Sequence, residues 1–319
     1  MHLTHRPAER SSIARCIELL RHDPTLPTDL QQKLNAFWLD RIGRSSIIMS
    51  IVEDHERGES ERTVAMGASA FVSDRFVAEA LSSRPPNLAV QAILEEMAGD
   101  GPVISDAEVR QGNAGDGLNV LVVHYAWDRA NLSPEDARAV RDELIHSFLH
   151  EHAGYRLKQI LLERFGNEAV RRVLTGGFRL YRDYADYYRE QGLAMPPDDQ
   201  RPYLCGLSRD EAKEVEGSTV APLFIYTEPR FHFRPVDQAL LRRAVLGETD
   251  EELTASLEIS PSAVKKRWAA IFEHSSSVAP DLFPREKAPQ GEAARKRGTE
   301  KRRRLLAYLR HHPEDLRPH

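Results

Sequence analysis

The 319-residue sequence predicts an α/β or α+β N-terminal domain, residues 1–192, and an all-α C-terminal domain built on a helix-turn-helix, residues 233–273. Three observations carry that prediction. Strand-like and helical segments alternate through the first half, the rhythm of a sheet flanked by helices. Between Phe233 and Phe272 three short helical stripes follow one another, with capping residues between them. Charge is also segregated. The net charge is −5, with acidic residues dominating the front and middle, while residues 285–310 are strongly basic.

Composition excludes several classes. Hydrophobic residues make up 41% of the chain, enough to bury a core and too many for wholesale disorder. No run of about eighteen apolar residues is present, so no membrane span is expected. The start, MHLTHRPAERSSIARC, lacks the apolar core of a secretory signal, which implies a cytoplasmic protein. The two cysteines, Cys16 and Cys205, match no metal spacing and read as unpaired thiols. No cofactor, catalytic residue or metal site is expected from these features.

In the first domain, helical stripes run through residues 11–20 and 29–42. Strand-like runs follow at 46–53 and 63–72, around the charged turn His55-Glu56-Arg57-Gly58. A helix-rich region spans 76–97, broken at Pro85-Pro86. Strands are expected at 103–109 and 118–126, with GNAGDG between them read as a hairpin turn. Ser133-Pro134-Glu135-Asp136 supplies a cap, a proline and an acidic first turn to a helix over 134–152. Residues 156–163 read as a strand, 167–174 as a helix, and 178–188 as a tyrosine-rich element.

Residues 193–232 are proline-containing and irregular, and read as a linker or docking segment around the apolar run APLFIYT. The helical domain then opens with Leu240, Leu241, Ala244 and Val245 on one stripe. Gly247 ends that helix, Thr249 caps the next, and Ser260-Pro261 begins the third, which turns Val264, Trp268, Ile271 and Phe272 inward. Residues 274–298 read as an insertion. A basic helix follows within 299–319, carrying Leu305, Leu306 and Leu309 on one side and Arg302, Arg303 and Arg304 near them.

The helical segment resembles the LuxR/GerE-type DNA-binding domain. Leu241, Gly247, Thr249, Glu252, Leu253, Ala255, Leu257, Ile259, Ser260, Val264, Lys265 and Ile271 fall in register with that pattern, whereas Ala263, Arg267 and Trp268 depart from it. The resemblance implies double-stranded DNA as partner and a homodimer. Lys265, Lys266 and Ala269 match the positions that face base edges, with Ser262 beside them. Ser260 and Arg267 suit phosphate contacts, and Arg302, Arg303 and Arg304 add further ones.

The order of elements over about residues 45–185 is similar to the GNAT acyltransferase fold. That family carries a glycine-bearing loop for the acyl-CoA pyrophosphate just after the strand that here ends near Trp127. This chain has Asp128-Arg129-Ala130-Asn131-Leu132-Ser133 instead, so the resemblance implies a lost or altered acyl-CoA site.

Outside these motifs the histidines stand out. His146 and His150 share a helix face, with Glu143 a turn earlier. The stripe Val140, Leu144, Phe148 lies opposite and turns them to water. His124 and Tyr125 follow an apolar strand, where α/β domains place ligands, and are the candidate ligand-binding residues. No Ser/His/Asp arrangement stands out. The principal reading is a sequence-specific DNA-binding transcriptional regulator, not an enzyme, whose N-terminal domain senses a small-molecule or protein signal or mediates assembly. The second is an acyltransferase-like enzyme carrying a regulatory helix-turn-helix, and the third an interaction module.

Overall fold

The computed structural model describes residues 1–319 apart from 22, 24 and 284–291, with the backbone alone for 292–299. The chain divides into two units, Met1–Ile225 and Tyr226–His319.

In the first unit the elements run β1 (Leu3–Pro7), α1 (Ile13–Leu20), α2 (Thr28–Arg41), β2 (Ile47–Asp54), β3 (Thr63–Val72), α3 (Asp74–Ser82), α4 (Leu88–Ala98), α5 (Asp106–Ala114) and β4 (Leu118–Trp127). They continue with α6 (Pro134–His152), β5 (Leu157–Phe165), α7 (Asn167–Thr175), β6 (Arg179–Asp183), α8 (Ala185–Glu190), β7 (Pro202–Ser208) and the short α9 (Arg209–Ala212). Seven strands form one mixed sheet in the order β1-β2-β3-β4-β5-β7-β6. Every neighbouring pair is antiparallel except β4 and β5, which are parallel and joined through α6.

The period of two in the strands sorts side chains onto two faces. On β3, Met66, Ala68, Ala70 and Val72 join the core with α1 and α2, while Gly67 and Ser69 lie toward α6, opposite Leu144 and His152. On β4 a bulge changes that parity. Ser69 pairs with Val122 and Ala68 with His124, so Val123 is the extra residue. Before the bulge Leu121 belongs to the core with α1 and α2, and after it Ala126 does. His124 follows Ala126 onto that face, its ring edge-on to Trp38 of α2 at 5.5 Å.

Several expectations are corrected here. Residues 106–109, expected as the end of a strand over 103–109, open helix α5 instead, because Ser105 and Glu108 close a reciprocal capping box at its start, and GNAGDG, expected as a hairpin turn, holds the end of that helix. Only Val103 makes a bridge, to Val72. Residues 193–232, expected as a linker or docking segment, contain β7, which pairs with both β5 and β6 and is buried from Pro202 to Leu207.

The second unit contains α10 (Pro235–Val245), α11 (Asp250–Ser256), α12 (Pro261–Val278) and α13 (Glu292–His311). Thr249 and Glu252 form a capping box on α11, and Ser260 Oγ accepts the Ala263 N–H at the start of α12. Phe231, Leu240, Leu241, Leu253, Val264, Trp268, Ile271, Leu305 and Leu309 fill its core. The expected insertion at 274–298 is shorter, since α12 runs on to Val278 and α13 begins at Glu292. Arg285 of the basic stretch lies outside the described residues. No described helix is long and apolar enough to cross a membrane.

Candidate functional site

Strands β4 and β5 pair only from Leu118↔Leu157 to Val122↔Leu162. Beyond that point His124–Trp127 on β4 and Glu163–Phe165 on β5 have no mutual register, and the strands part as a V. Val123, at its apex, has no partner in the register of β3 or of β5. Divergence is sustained because each strand finds another neighbour: β3 stays with β4 through Trp127, and β7 stays with β5 through Phe165.

A cavity of about 700 Å³ occupies the V and extends beneath α6. On the face of α1 and α2 it reaches Asp23, His124, Asn87 and Glu163, and on the other Ser69, Phe148, His152 and Val173. It is also lined by Arg129, Arg138, Arg141 and Arg172, and by the more deeply enclosed Arg164. Arg129 and Arg141 stack over Trp127 at 4.4 and 5.4 Å, and Arg164 over Tyr125 at 5.0 Å. Arg172 pairs with Glu168 one turn away.

The loop after β4 is held by charge rather than by glycine. Asp128 is buried against Arg15 at 3.3 Å and Arg57 at 3.4 Å, and accepts from Asn131 Nδ2 at 3.0 Å. The start of α6 is unsuited to an anion. Pro134 contributes no N–H, Ser133 Oγ caps the Asp136 N–H, and Glu135 and Asp136 sit in the first turn. Any phosphate at this end of the cleft must therefore be met by the arginine side chains.

Two titratable groups occupy the arms of the V. Glu163 is 7% exposed, and its two oxygens accept the N–H groups of Asn87 and Leu88 at 2.8 and 2.9 Å, at the start of α4. Burial pushes its carboxyl up to about 7, against the pull of those two donors and of Arg182. His124 is buried, and burial drops its imidazole to about 4, opposed by the Asp23 carboxylate. It is therefore neutral at pH 7. Its Nε2 has no hydrogen-bond partner among the described residues. Tyr125, half-buried beside it, has its hydroxyl raised by burial.

His124 and Tyr125, the two candidate ligand-binding residues, thus both line the cleft. Glu163, Ser69 and the arginines were not singled out from the sequence. A signal existed only for Glu163, an acid inside the apolar run ILLE of an expected strand. His146 and His150 are exposed, whereas His152 is buried. Among the described residues no group of three or more His, Cys, Asp or Glu side chains could hold a metal ion.

In the second unit Ser260, Ser262, Lys265, Lys266 and Ala269 are exposed. The arginines expected to reach phosphates are engaged within the unit. Arg302 pairs with Asp250 at 2.7 Å and lies over Trp268, while Arg303 and Arg304 both bind Glu300 at 2.8 Å. Arg267 donates to the Val236 carbonyl at 3.4 Å.

No protein-family model matches the chain, and no curated protein does. Among solved structures, the chain is similar to Arabidopsis thaliana NAA60 in complex with a bisubstrate analogue, at 14% identity and a TM-score of 0.37, over 65% of this chain and 98% of that one. It is similar to the mosquito arylalkylamine N-acetyltransferase like 5b at 16% identity and a TM-score of 0.37, over 65% and 100%. A chimera of the Vibrio cholerae spermidine N-acetyltransferase SpeG with hSSAT gives 12% identity and a TM-score of 0.39, over 67% and 98%. The likeness extends over about two thirds of this chain, Met1–Ile225 being the unit that holds the seven-stranded sheet.

These findings correct the principal reading from the sequence. The structures named are acetyltransferases, and nothing found supports a LuxR/GerE domain, so the chain is not read as a DNA-binding transcriptional regulator without an enzymatic domain. Helix caps and an apolar stripe, which carried the LuxR resemblance, are what any small helical packing needs.

Proposed function

We propose that the first unit is an acyltransferase-like enzyme, taking an acyl group from an acyl-CoA thioester and passing it to a nucleophilic acceptor, in a chain that also carries a helical regulatory module. The observation behind this reading is the cleft between the parted ends of β4 and β5, lined by five arginines and by buried titratable groups. The gap between the parted strands suits the extended pantetheine arm, and the guanidinium groups lining the cavity suit its phosphates. Val123, outside both ladders, offers a backbone N–H near the apex to a carbonyl oxygen gaining charge. An amine acceptor must shed a proton to attack a thioester, and the cleft holds side chains able to take it, among them the neutral His124, whose Nε2 has no partner among the described residues.

Acetyl-CoA is the direct probe. At a hundredfold excess over its dissociation constant it should stabilise the protein by about 2.7 kcal/mol. That corresponds to a rise of roughly 5–10 °C in melting temperature for a unit of this size. R138E/R141E should lose most of the rise while melting near the parent temperature in buffer alone. No shift at millimolar acetyl-CoA would remove the proposal.

A further inference from the structure

We propose that Ser69 and His152 form a nucleophile–base pair in the cleft, on which the acyl group is carried as an ester of Ser69 before it reaches an acceptor; this rests on the acyl-transfer reading above. Residues 83 positions apart are brought together by β3 and the last turn of α6, with Ser69 Oγ 2.8 Å from His152 Nε2. His152 Nδ1 lies 2.8 Å from the Phe148 carbonyl oxygen. A carbonyl can only accept, so Nδ1 carries the proton. In the neutral ring Nε2 then holds the lone pair, and Ser69 O–H donates to it. A hydroxyl bound to a base that a third group orients is the arrangement by which serine is made nucleophilic.

Both side chains are almost wholly enclosed, at 3% and 2% exposure, yet both line the cavity rather than the packed core. Ser69 also pairs in the ladder with Val122, beside the bulge. The thioester carbon at the apex is thus next to the hydroxyl, with the Val123 amide at hand for its oxygen.

The step balances without a further reactant. Ser69 Oγ attacks the thioester carbonyl carbon while its proton passes to His152 Nε2. The C–S bond breaks, and the CoA thiolate takes the proton from His152 to leave as the thiol. In the second half the acceptor attacks the ester carbon, its proton moves to His152, and Ser69 Oγ recovers it as the C–O bond breaks.

The test uses the full chain and acetyl-CoA with no acceptor. About one equivalent of free CoA should be released in a burst. Chromatography should quantify it, since Cys16 and Cys205 are free thiols. Intact mass should rise by one acetyl group, and peptide mapping should place it on Ser69. S69A should lose the adduct, S69C should hold it as a thioester, and H152Q should slow the burst by at least about 100-fold. If acetyl-CoA raises the melting temperature but no adduct forms, or the acetyl group sits on a cysteine, the pair is a structural hydrogen bond and this inference fails while acyl transfer stands. If acetyl-CoA does not bind at all, both fail.

Discussion

Glu163 and His124 are titratable groups held out of water, and pH acts on them in opposite senses. The folded Glu163 carboxyl is raised from 4.5 to about 7, so the folded state prefers its proton. Its contribution is fully present below the unfolded value and is lost as pH climbs through about 7, a change of about 3 kcal/mol. The folded imidazole of His124 is lowered from 6.5 to about 4, so the folded state refuses the proton. That contribution is present above 6.5 and is lost as pH falls toward 4. Between about 4.5 and 6.5 the two slopes offset each other. E163Q removes one of them. The Gln amide can accept only one of the Asn87 and Leu88 N–H groups, a cost that does not vary with pH, so the slope is the informative quantity. The melting temperature of E163Q relative to the parent should rise steadily from pH 5 to pH 8. A constant difference across that range would mean that Glu163 is ionised throughout.

Elements set the site through two irregularities, the β4 bulge and the early end of the β4–β5 ladder. Neither was legible. A bulge inserts one residue without changing composition, and LNVLVVHYAW reads as one uninterrupted strand. The surrounding elements were legible, because Ser133-Pro134 and the apolar stripes of α6 and β5 are local signals. Strand β7 was not, since Pro202 and Gly206 interrupt it and its partners lie far back in the chain. Nor was the pairing of Ser69 with His152, which depends on which face of α6 meets β3. Gly166, which follows β5 and caps α7, shows how tightly the cleft wall is set. Its φ is +86°, its N–H binds the Arg201 carbonyl at 2.8 Å, and an added Cβ would meet the Asp199 carbonyl oxygen at 2.6 Å. With ψ at 145° this positive-φ backbone lies close to a region only glycine adopts readily, and it costs an L-residue about 1–3 kcal/mol. With a backbone clash added, G166A should lower the melting temperature by about 5 °C or more. The acetyl-CoA shift should shrink as well, because Phe165 and Asp199 line the cavity. A variant that melts like the parent would mean that residues 198–201 yield without resistance.

At the scale of the whole molecule, each unit encloses its own core. The buried clusters of the first draw on residues up to Phe224, and the cluster of the second begins at Phe231, with no buried residue in common. The second unit also closes on itself at its end. Gln238 Nε2 donates to the Arg317 carbonyl at 2.6 Å, and the buried Asp315 accepts the Phe231 N–H at 2.7 Å. Every residue assigned to the cleft lies between Asp23 and Val220. On the proposed acyl-transfer reading, residues 1–225 should therefore suffice to bind acyl-CoA. A chain ending at Ile225 should fold, show one cooperative melting transition, and keep the full acetyl-CoA shift of the intact protein. If the shortened chain folds but binds acetyl-CoA at least tenfold more weakly, the second unit contributes about 1.4 kcal/mol or more to binding. The helical unit would then be part of the acyl-CoA machinery rather than an addition to it.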